Sequence, residues 1–430
     1  MKNNFILLIA FLSINAWSQE PEKDVKKSES KLAGYFLDPT ANLAKLWEAK
    51  SLIDAASQNE SVMNMSRTYS AKGKVYNALC SFESDSILMS QQFKKTYQLK
   101  YADAALTAYN SWIKAKQLAT KSYETKDALV ALTETSRYLN NYGIQAYERE
   151  DYKAAFIHFE AVVKIDELVT SAGMKSILPT PEDLQKQKYL VAACAINAQM
   201  LDEAFPYLEE LRKAKYPESF IYEGLYKYYT PKDDKKAEEI LAEGRILFPK
   251  ETSLLFTEIN HFLKKGKLTE LVDKLKIAIE REPNNVSVYS TLGSVYDNLC
   301  QKEWEANNFA KGDEYYTNAE KYYTEALKIV PDDFTSLYSL GALYYNKAAL
   351  LSKEANKLNA DYSKEGTKKY NDKKAEMGLY FDKALPYFER AEKKDPKDSN
   401  TLSALKEIYA KKSQFDKSNE YKAKLEALGK

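Results

Sequence analysis

Residues 286–331 read VSVYSTLGSVYDNLCQKEWEANNFAKGDEYYTNAEKYYTEALKIVP. Tyr289, Leu292, Gly293 and Tyr296 recur at intervals that put them on one face of a helix. Ala319, Tyr323 and Ala326 repeat that spacing before Pro331. One glycine and two alanines set among aromatic residues are what two closely packed helices need. The small residues let the backbones approach, and the large ones fill the space beside them. Proline lacks an N–H and cannot continue the second helix. The stretch therefore reads as helix, turn, helix, stop.

Working outward, Pro249, Pro283, Pro331 and Pro396 are separated by 34, 48 and 65 residues. Twelve residues before them lie Ala237, Leu271, Ala319 and Ala384, and eight before lie Leu241, Leu275, Tyr323 and Phe388. Five before are Gly244, Ala278, Ala326 and Ala391. The unit after Pro331 reads Leu337, Leu340, Gly341, Tyr344, then Ala384, Phe388, Ala391 and Pro396. An upstream unit, SRYLNNYGIQAYEREDYKAAFIHFEAVV, supplies Leu139, Gly143, Ala155 and Phe159.

These residues resemble the tetratricopeptide repeat, a 34-residue helix–turn–helix unit with Leu-Gly and an aromatic in its first helix, Ala and an aromatic in its second, and a closing Pro. Two units match at eight positions each once one insertion per unit is allowed. The resemblance implies an all-α, right-handed α-solenoid of antiparallel helix pairs, a tetratricopeptide superhelix with two elongated C-terminal repeats. A single pair cannot bury its apolar face, so stability comes from stacking. Other units depart from the pattern, with Ala192 and Ile259 where Gly is usual, Gly224 one place early, and Lys406 and Ser418 in the last unit. Many Lys and Glu in the final helix suit a polar cap.

Gly293 to Ala319 is 26 residues where the pattern has 12, and the unit ending at Pro396 carries a larger insertion. Both insertions, near 300–315 and 350–380, remain helix-like. They predict longer helices projecting from the stack, with Gly312 as a break and a turn around Asn359 to Gly366.

Composition agrees. The chain of 430 residues has 13 Gly and 12 Pro, far below average usage of ~7% and ~5%. That scarcity excludes turn-rich β folds and Gly/Pro-rich disorder. Lys plus Arg is 63 against 62 for Asp plus Glu, which removes the electrostatic case for nucleic acid or an anionic membrane. Arg supplies only 7 of the basic residues, and Arg is the usual bidentate reader of phosphates and bases.

The chain begins MKNNFILLIAFLSINAWSQE. Lys2, the apolar run Phe5–Leu12, and Ala16 and Ser18 before Gln19 follow the layout of a cleaved signal peptide over 1–18. Eight apolar residues do not span a bilayer. No later segment reads as transmembrane, and no cysteine marks a lipoprotein. Residues 19–38 are charged and read as a linker. Residues 39–124 read as divergent N-terminal helical pairs, with a loop between Phe82 and Lys100. Residues 125–430 form the repeat array. The Lys/Asn/Tyr-rich style resembles exported repeat proteins of Gram-negative Bacteroidota, which implies a periplasmic location.

Catalytic motifs are missing. No two glycines lie closer than 12 residues, which excludes the clustered-glycine phosphate loops. His158 and His261 are far apart, and Cys80, Cys194 and Cys300 form no CxxC, so neither a zinc site nor a disulfide framework is read. Acidic pairs such as Asp332–Asp333 sit at helix starts, where capping accounts for them. The sequence predicts no enzyme and no cofactor.

In the resembled family, five positions of the first helix line the concave face. Carried over, they give Arg137, Asn140, Ile144, Tyr147 and Glu148, then Ser287, Ser290, Ser294, Asp297 and Asn298, then Thr335, Tyr338, Ala342, Tyr345 and Asn346. Arg137, Asn140, Tyr147, Asp297, Asn298, Tyr338, Tyr345 and Asn346 are the expected partner-binding residues. The function implied is a non-catalytic scaffold of the bacterial cell envelope that binds a peptide or partner protein. The alternative is a glycan- or nutrient-binding helical-repeat protein of the outer membrane.

Overall fold

The computed structural model describes residues 21–92 and 99–429, so the expected leader at 1–18 lies outside the described residues. Among the described residues the chain is helical throughout, with eighteen helices and no strand. It divides into two units at Ile240 and Leu241. The first holds α1 (Pro21–Leu37), α2 (Leu43–Ala56), α3 (Ser66–Gln92), α4 (Ala104–Gln117), α5 (Ser122–Glu148), α6 (Tyr152–Ser171), α7 (Pro181–Asn197), α8 (Leu201–Lys213) and α9 (Phe220–Tyr229). The division falls within α10 (Asp234–Leu247). The second holds α11 (Thr252–Lys265), α12 (Leu268–Arg281), α13 (Val286–Glu305), α14 (Phe309–Ile329), α15 (Phe334–Leu358), α16 (Lys364–Lys394), α17 (Ser399–Lys411) and α18 (Phe415–Ala427).

Within each unit a helix packs on the next in sequence, and first helices also touch one another. The first unit has α1 against α3 and α3 against α5, and the second has α13 against α15 and α15 against α17. This is the all-α solenoid architecture that the repeat spacing predicts. The small residues act as expected. A Cβ on Gly143 would stand 2.6 Å from the Phe159 ring, and one on Gly293 would stand 2.6 Å from the Tyr323 ring. Ala155, Ala319, Ala326 and Ala384 are fully buried at the same seams. Several helix starts are capped by side chains. Asp151 accepts from the Ala154 N–H at 3.1 Å, Asp333 from Ser336 at 2.8 Å and Asp398 from Thr401 at 2.7 Å. Each cap satisfies an amide that has no partner inside its helix.

Two expectations are corrected and one is narrowed. Residues 21–37, read as part of a charged linker, form α1, because Val25, Ser28, Leu32 and Tyr35 make a buried helical stripe among the charges. Ser28 Oγ donates to the Ala49 carbonyl oxygen at 2.8 Å, locking α1 to α2. The loop expected between Phe82 and Lys100 does not start at Phe82, since α3 continues as helix to Gln92. Gly312, read as a break, is buried inside α14 against the Trp304 ring, and the turn lies earlier, where Asn307 takes φ +63.

The insertions lengthen paired helices. The α13 and α14 pair has 20 and 21 residues, and the α15 and α16 pair has 25 and 31. The added turns make their own packing. Trp304 Nε1 donates to Asp313 at 3.1 Å, Lys347 Nζ lies 2.6 Å from Asp313 and 4.7 Å from the Trp304 ring centroid, and Tyr316 stands edge-to-face on Tyr380.

Candidate partner groove

A cavity of the first unit lies on its first helices. It measures about 730 Å3 and is walled by α1 through Glu29, Leu32 and Phe36, floored by α3, and closed on the far side by α5. Two smaller cavities continue it. One of about 380 Å3 shares Ser66, Arg67 and Glu124 with it, and one of about 400 Å3 shares Val130 and Glu134 and adds Arg137, Met174 and Lys175. Together they make a trough along α5, in the size range of natural ligand sites.

The sequence of α5 explains the trough. Tyr123, Asp127, Val130, Glu134 and Arg137 alternate four and three residues apart and share one helix face. The opposite face carries Leu129, Leu132, Leu139 and Tyr142 into the core. Among the described residues no helix lies over the trough face, so Tyr123 is 56% exposed, Val130 53%, Ile144 47% and Tyr147 45%. Polar bonds hold the walls in register. Thr135 Oγ1 donates to Asn77 Oδ1 at 2.9 Å between α5 and α3, and Ser66 Oγ donates to the Ala115 carbonyl oxygen at 2.9 Å between α3 and α4. Arg67 of α3 forks onto Glu29 of α1, with Nε 3.1 Å from Oε1. Glu124 accepts from the Thr120 and Lys121 amides, which hold its carboxyl below the usual range. Burial, the larger influence, raises the Tyr138 hydroxyl, and a hydrogen bond with Ser81 opposes it.

Of the expected residues, Arg137 lies on the trough and Ile144 continues its stripe. Asn140 is half-buried to one side, and the Tyr147 ring leans on Tyr152 at 5.5 Å. In the second unit, most of the expected residues are engaged in the repeat packing. Tyr338 is half-buried between Phe334 and Phe388, with ring centroids 6.2 and 5.8 Å away. Tyr345 donates its hydroxyl to Glu407 of α17 and packs on Phe381. Burial first, then that hydrogen bond, pushes its hydroxyl up to about 12. Asp297 accepts from Gln301 at 2.9 Å, and burial raises its carboxyl above the usual range. Asn298 is exposed and donates to the Ser294 carbonyl oxygen at 2.8 Å, while Asn346 is half-buried.

The residues that sequence reasoning missed are Tyr123, Asp127, Val130 and Glu134, together with the α1 wall. The signal was present as the four–three stripe upstream of Ser136, but the family pattern starts later in the helix. His158 is buried against Tyr142, its Nδ1 is 2.8 Å from the Ala154 carbonyl oxygen, and burial lowers its pKa. Cys80, Cys194 and Cys300 are buried free thiols raised by desolvation, the last two to about 12. Among the described residues, no group of His, Cys, Asp or Glu is placed to hold a metal ion, and no helix is long and apolar enough to cross a membrane.

No protein-family model matches the chain, and no curated protein matches it. Solved structures of tetratricopeptide-repeat proteins do. YrrB, described as a TPR protein with an unusual peptide-binding site, is 16% identical with a TM-score of 0.35, over 51% of this chain and 98% of that one. A TPR repeats protein from Bacteroides fragilis is 21% identical with a TM-score of 0.27, over 64% of this chain and 98% of that one. The TPR domain of P58(IPK) is 16% identical with a TM-score of 0.27, over 92% of this chain and 98% of that one. The helix pairing described above stands on its own residues and does not depend on these likenesses.

Proposed function

We propose that this chain is a non-catalytic protein-interaction scaffold, exported to the cell envelope, whose first unit holds a peptide segment of a partner protein in the trough along α5. The observation that carries the reading is the row of exposed apolar side chains Tyr123, Val130 and Ile144 on one face of one helix, beside a cavity of about 730 Å3. Apolar groups left uncovered next to a concave, polar-rimmed surface mark an interaction site. The leader-like segment at 1–18 supports the envelope address. The Arg67–Glu29 fork and the Thr135–Asn77 bond support a preformed groove, which lowers the ordering cost of binding.

A random peptide-display selection on the full chain tests this. Peptides are expected to enrich, and their binding is expected to be lost in Val130→Trp, which fills the trough from an exposed position. A selection that enriches nothing, or peptides that bind Val130→Trp unchanged, refutes the reading. Fractionation of cells separates the envelope address from the binding claim.

A further inference from the structure

The charges of the cavity of about 730 Å3 are uneven. Its lining includes the acids Glu29, Glu124, Asp127 and Glu134 and the bases Arg67 and Lys74, while Lys26, Arg137 and Lys175 lie in the two adjoining cavities. Arg67 is committed to Glu29, and Glu124 to the amides at the start of α5. Asp127 and Glu134 make no ion pair among the described residues, and Lys74 is the remaining cation of the lining. The two carboxylates stand seven residues apart on one helix face, which is two turns or about 10.5 Å. Val130 lies between them.

A second observation comes from the floor. Trp112 of α4 lines the same cavity, is 2% exposed, and its Nε1–H has no acceptor. Gly73 of α3 is what admits the indole, since a Cβ there would stand 2.5 Å from the ring. Thr68, buried and lining the adjoining cavity, has an unpartnered Oγ1. Buried donors without partners are costly, and an extended main chain brings carbonyl oxygens of the matching chemistry.

We propose that the trough receives an extended, positively charged segment of a partner protein, with two basic side chains three residues apart set on Asp127 and Glu134. A polyproline-like chain rises about 3.1 Å per residue with three residues per turn. Basic residues three apart therefore point the same way and stand about 9 Å apart, matching the carboxylates. The chain backbone lies toward the floor, where Trp112 donates to one of its carbonyl oxygens once the neighbouring side chains shift to admit it. An acidic or phosphorylated segment would meet the two carboxylates head-on. This inference rests on the reading of the trough as a peptide groove and names the chemistry of its occupant.

The test uses the full chain and three fluorescein-labelled peptides: one centred on Lys-Pro-Leu-Lys, one with both Lys replaced by Glu, and one with the two Lys adjacent. Fluorescence anisotropy is expected to rank the first tightest and the Glu peptide weakest. Salt near 1 M, where the screening length is about 3 Å, is expected to weaken the first peptide strongly. Asp127→Asn combined with Glu134→Gln, both exposed and isosteric, is expected to weaken it about tenfold and flatten the salt dependence. Trp112→Phe, which keeps an aromatic ring but removes the N–H together with the pyrrole part of the indole, is expected to cost about fivefold without changing the salt dependence. Far-ultraviolet circular dichroism checks that each variant is folded. Equal binding of the Lys and Glu peptides, or an unchanged double variant, overturns the proposal. If the display selection yields neutral or acidic peptides that Val130→Trp abolishes, the groove stands and this inference falls. Self-association blocked by Val130→Trp with no peptide binding would assign the trough to a second copy of the chain, which also overturns it.

Discussion

A matched pair of glycines isolates what the helix seams require. Gly293 lies in α13, where an added Cβ would come within 2.6 Å of the Tyr323 ring, while Gly378 lies inside α16 with no atom within 4 Å of the same position. Alanine at either site gains about 1 kcal/mol of helix propensity over glycine. At Gly378 nothing opposes that gain, so Gly378→Ala is expected to stabilise the second unit by about 1 kcal/mol. At Gly293 the methyl must reach the ~3.5 Å of ordinary carbon contact, so the ring or the helix has to retreat by about 1 Å. Tyr323 is 2% exposed and its hydroxyl is hydrogen-bonded with Ser339 and Ser294, so the ring is not free to swing away. Overpacking of this kind costs about 1–3 kcal/mol, which leaves Gly293→Ala destabilised by about 0–2 kcal/mol. The two variants differ only in packing, and their separation is expected to be about 1–3 kcal/mol. Hydrogen–deuterium exchange read on α13, α14 and α16 peptides measures it without mixing in the first unit, because local opening is read segment by segment. Faster exchange in α13 and α14 for Gly293→Ala, against slower exchange in α16 for Gly378→Ala, is the expected result. Equal stabilisation by both substitutions would refute the close-approach reasoning.

Two further outcomes follow from the ion pairs. Glu258 is buried between Arg245 at 3.2 Å and Lys274 at 2.9 Å, so Glu258→Gln removes the carboxylate shared by two cations and is expected to cost about 1–3 kcal/mol in urea unfolding, and clearly more than Asp202→Asn in the exposed pair with Lys232; equal effects would sink the argument. Asp54 accepts from Lys50 at 2.8 Å and Tyr76 at 3.0 Å and lies 3.2 Å from Lys72; burial pushes its carboxyl up, but these partners outweigh it and leave the group below its ordinary value. A carboxylate lowered in the folded state stabilises above its unfolded value and loses that contribution as pH falls through the folded one. The stability gap between wild type and Asp54→Asn, about 1–2 kcal/mol, is therefore expected to be full near pH 6 and to close below about pH 4; a gap constant with pH would contradict this.

The seams were legible from spacing because each depends on local choices. A glycine, an alanine and an aromatic at fixed intervals specify a close approach wherever the chain places its next helix. The start of α1 was masked by composition. Charges at 22–31 suggested a linker, although Val25, Leu32 and Tyr35 carried a helical period that only burial against α2 made decisive. Tyr338 and Tyr345 are a different case. The family pattern assigns them to a binding face, and their rings also pack on Phe388, itself a repeat position that the spacing gives, and on Phe381.

The sequence by itself determined that this chain is a stack of helix pairs. It set where the pairs meet and which prolines part them, and it supplied none of the residue constellations that catalysis needs. These are properties of near neighbours along the chain, and helical period expresses them directly. The tertiary structure decided which faces remain open. Tyr123, Asp127, Val130 and Glu134 are an ordinary half-polar stripe in sequence. They become a trough wall because α1 and α3 stand opposite and, among the described residues, no helix covers them, a relation among segments far apart in the chain that local spacing does not encode.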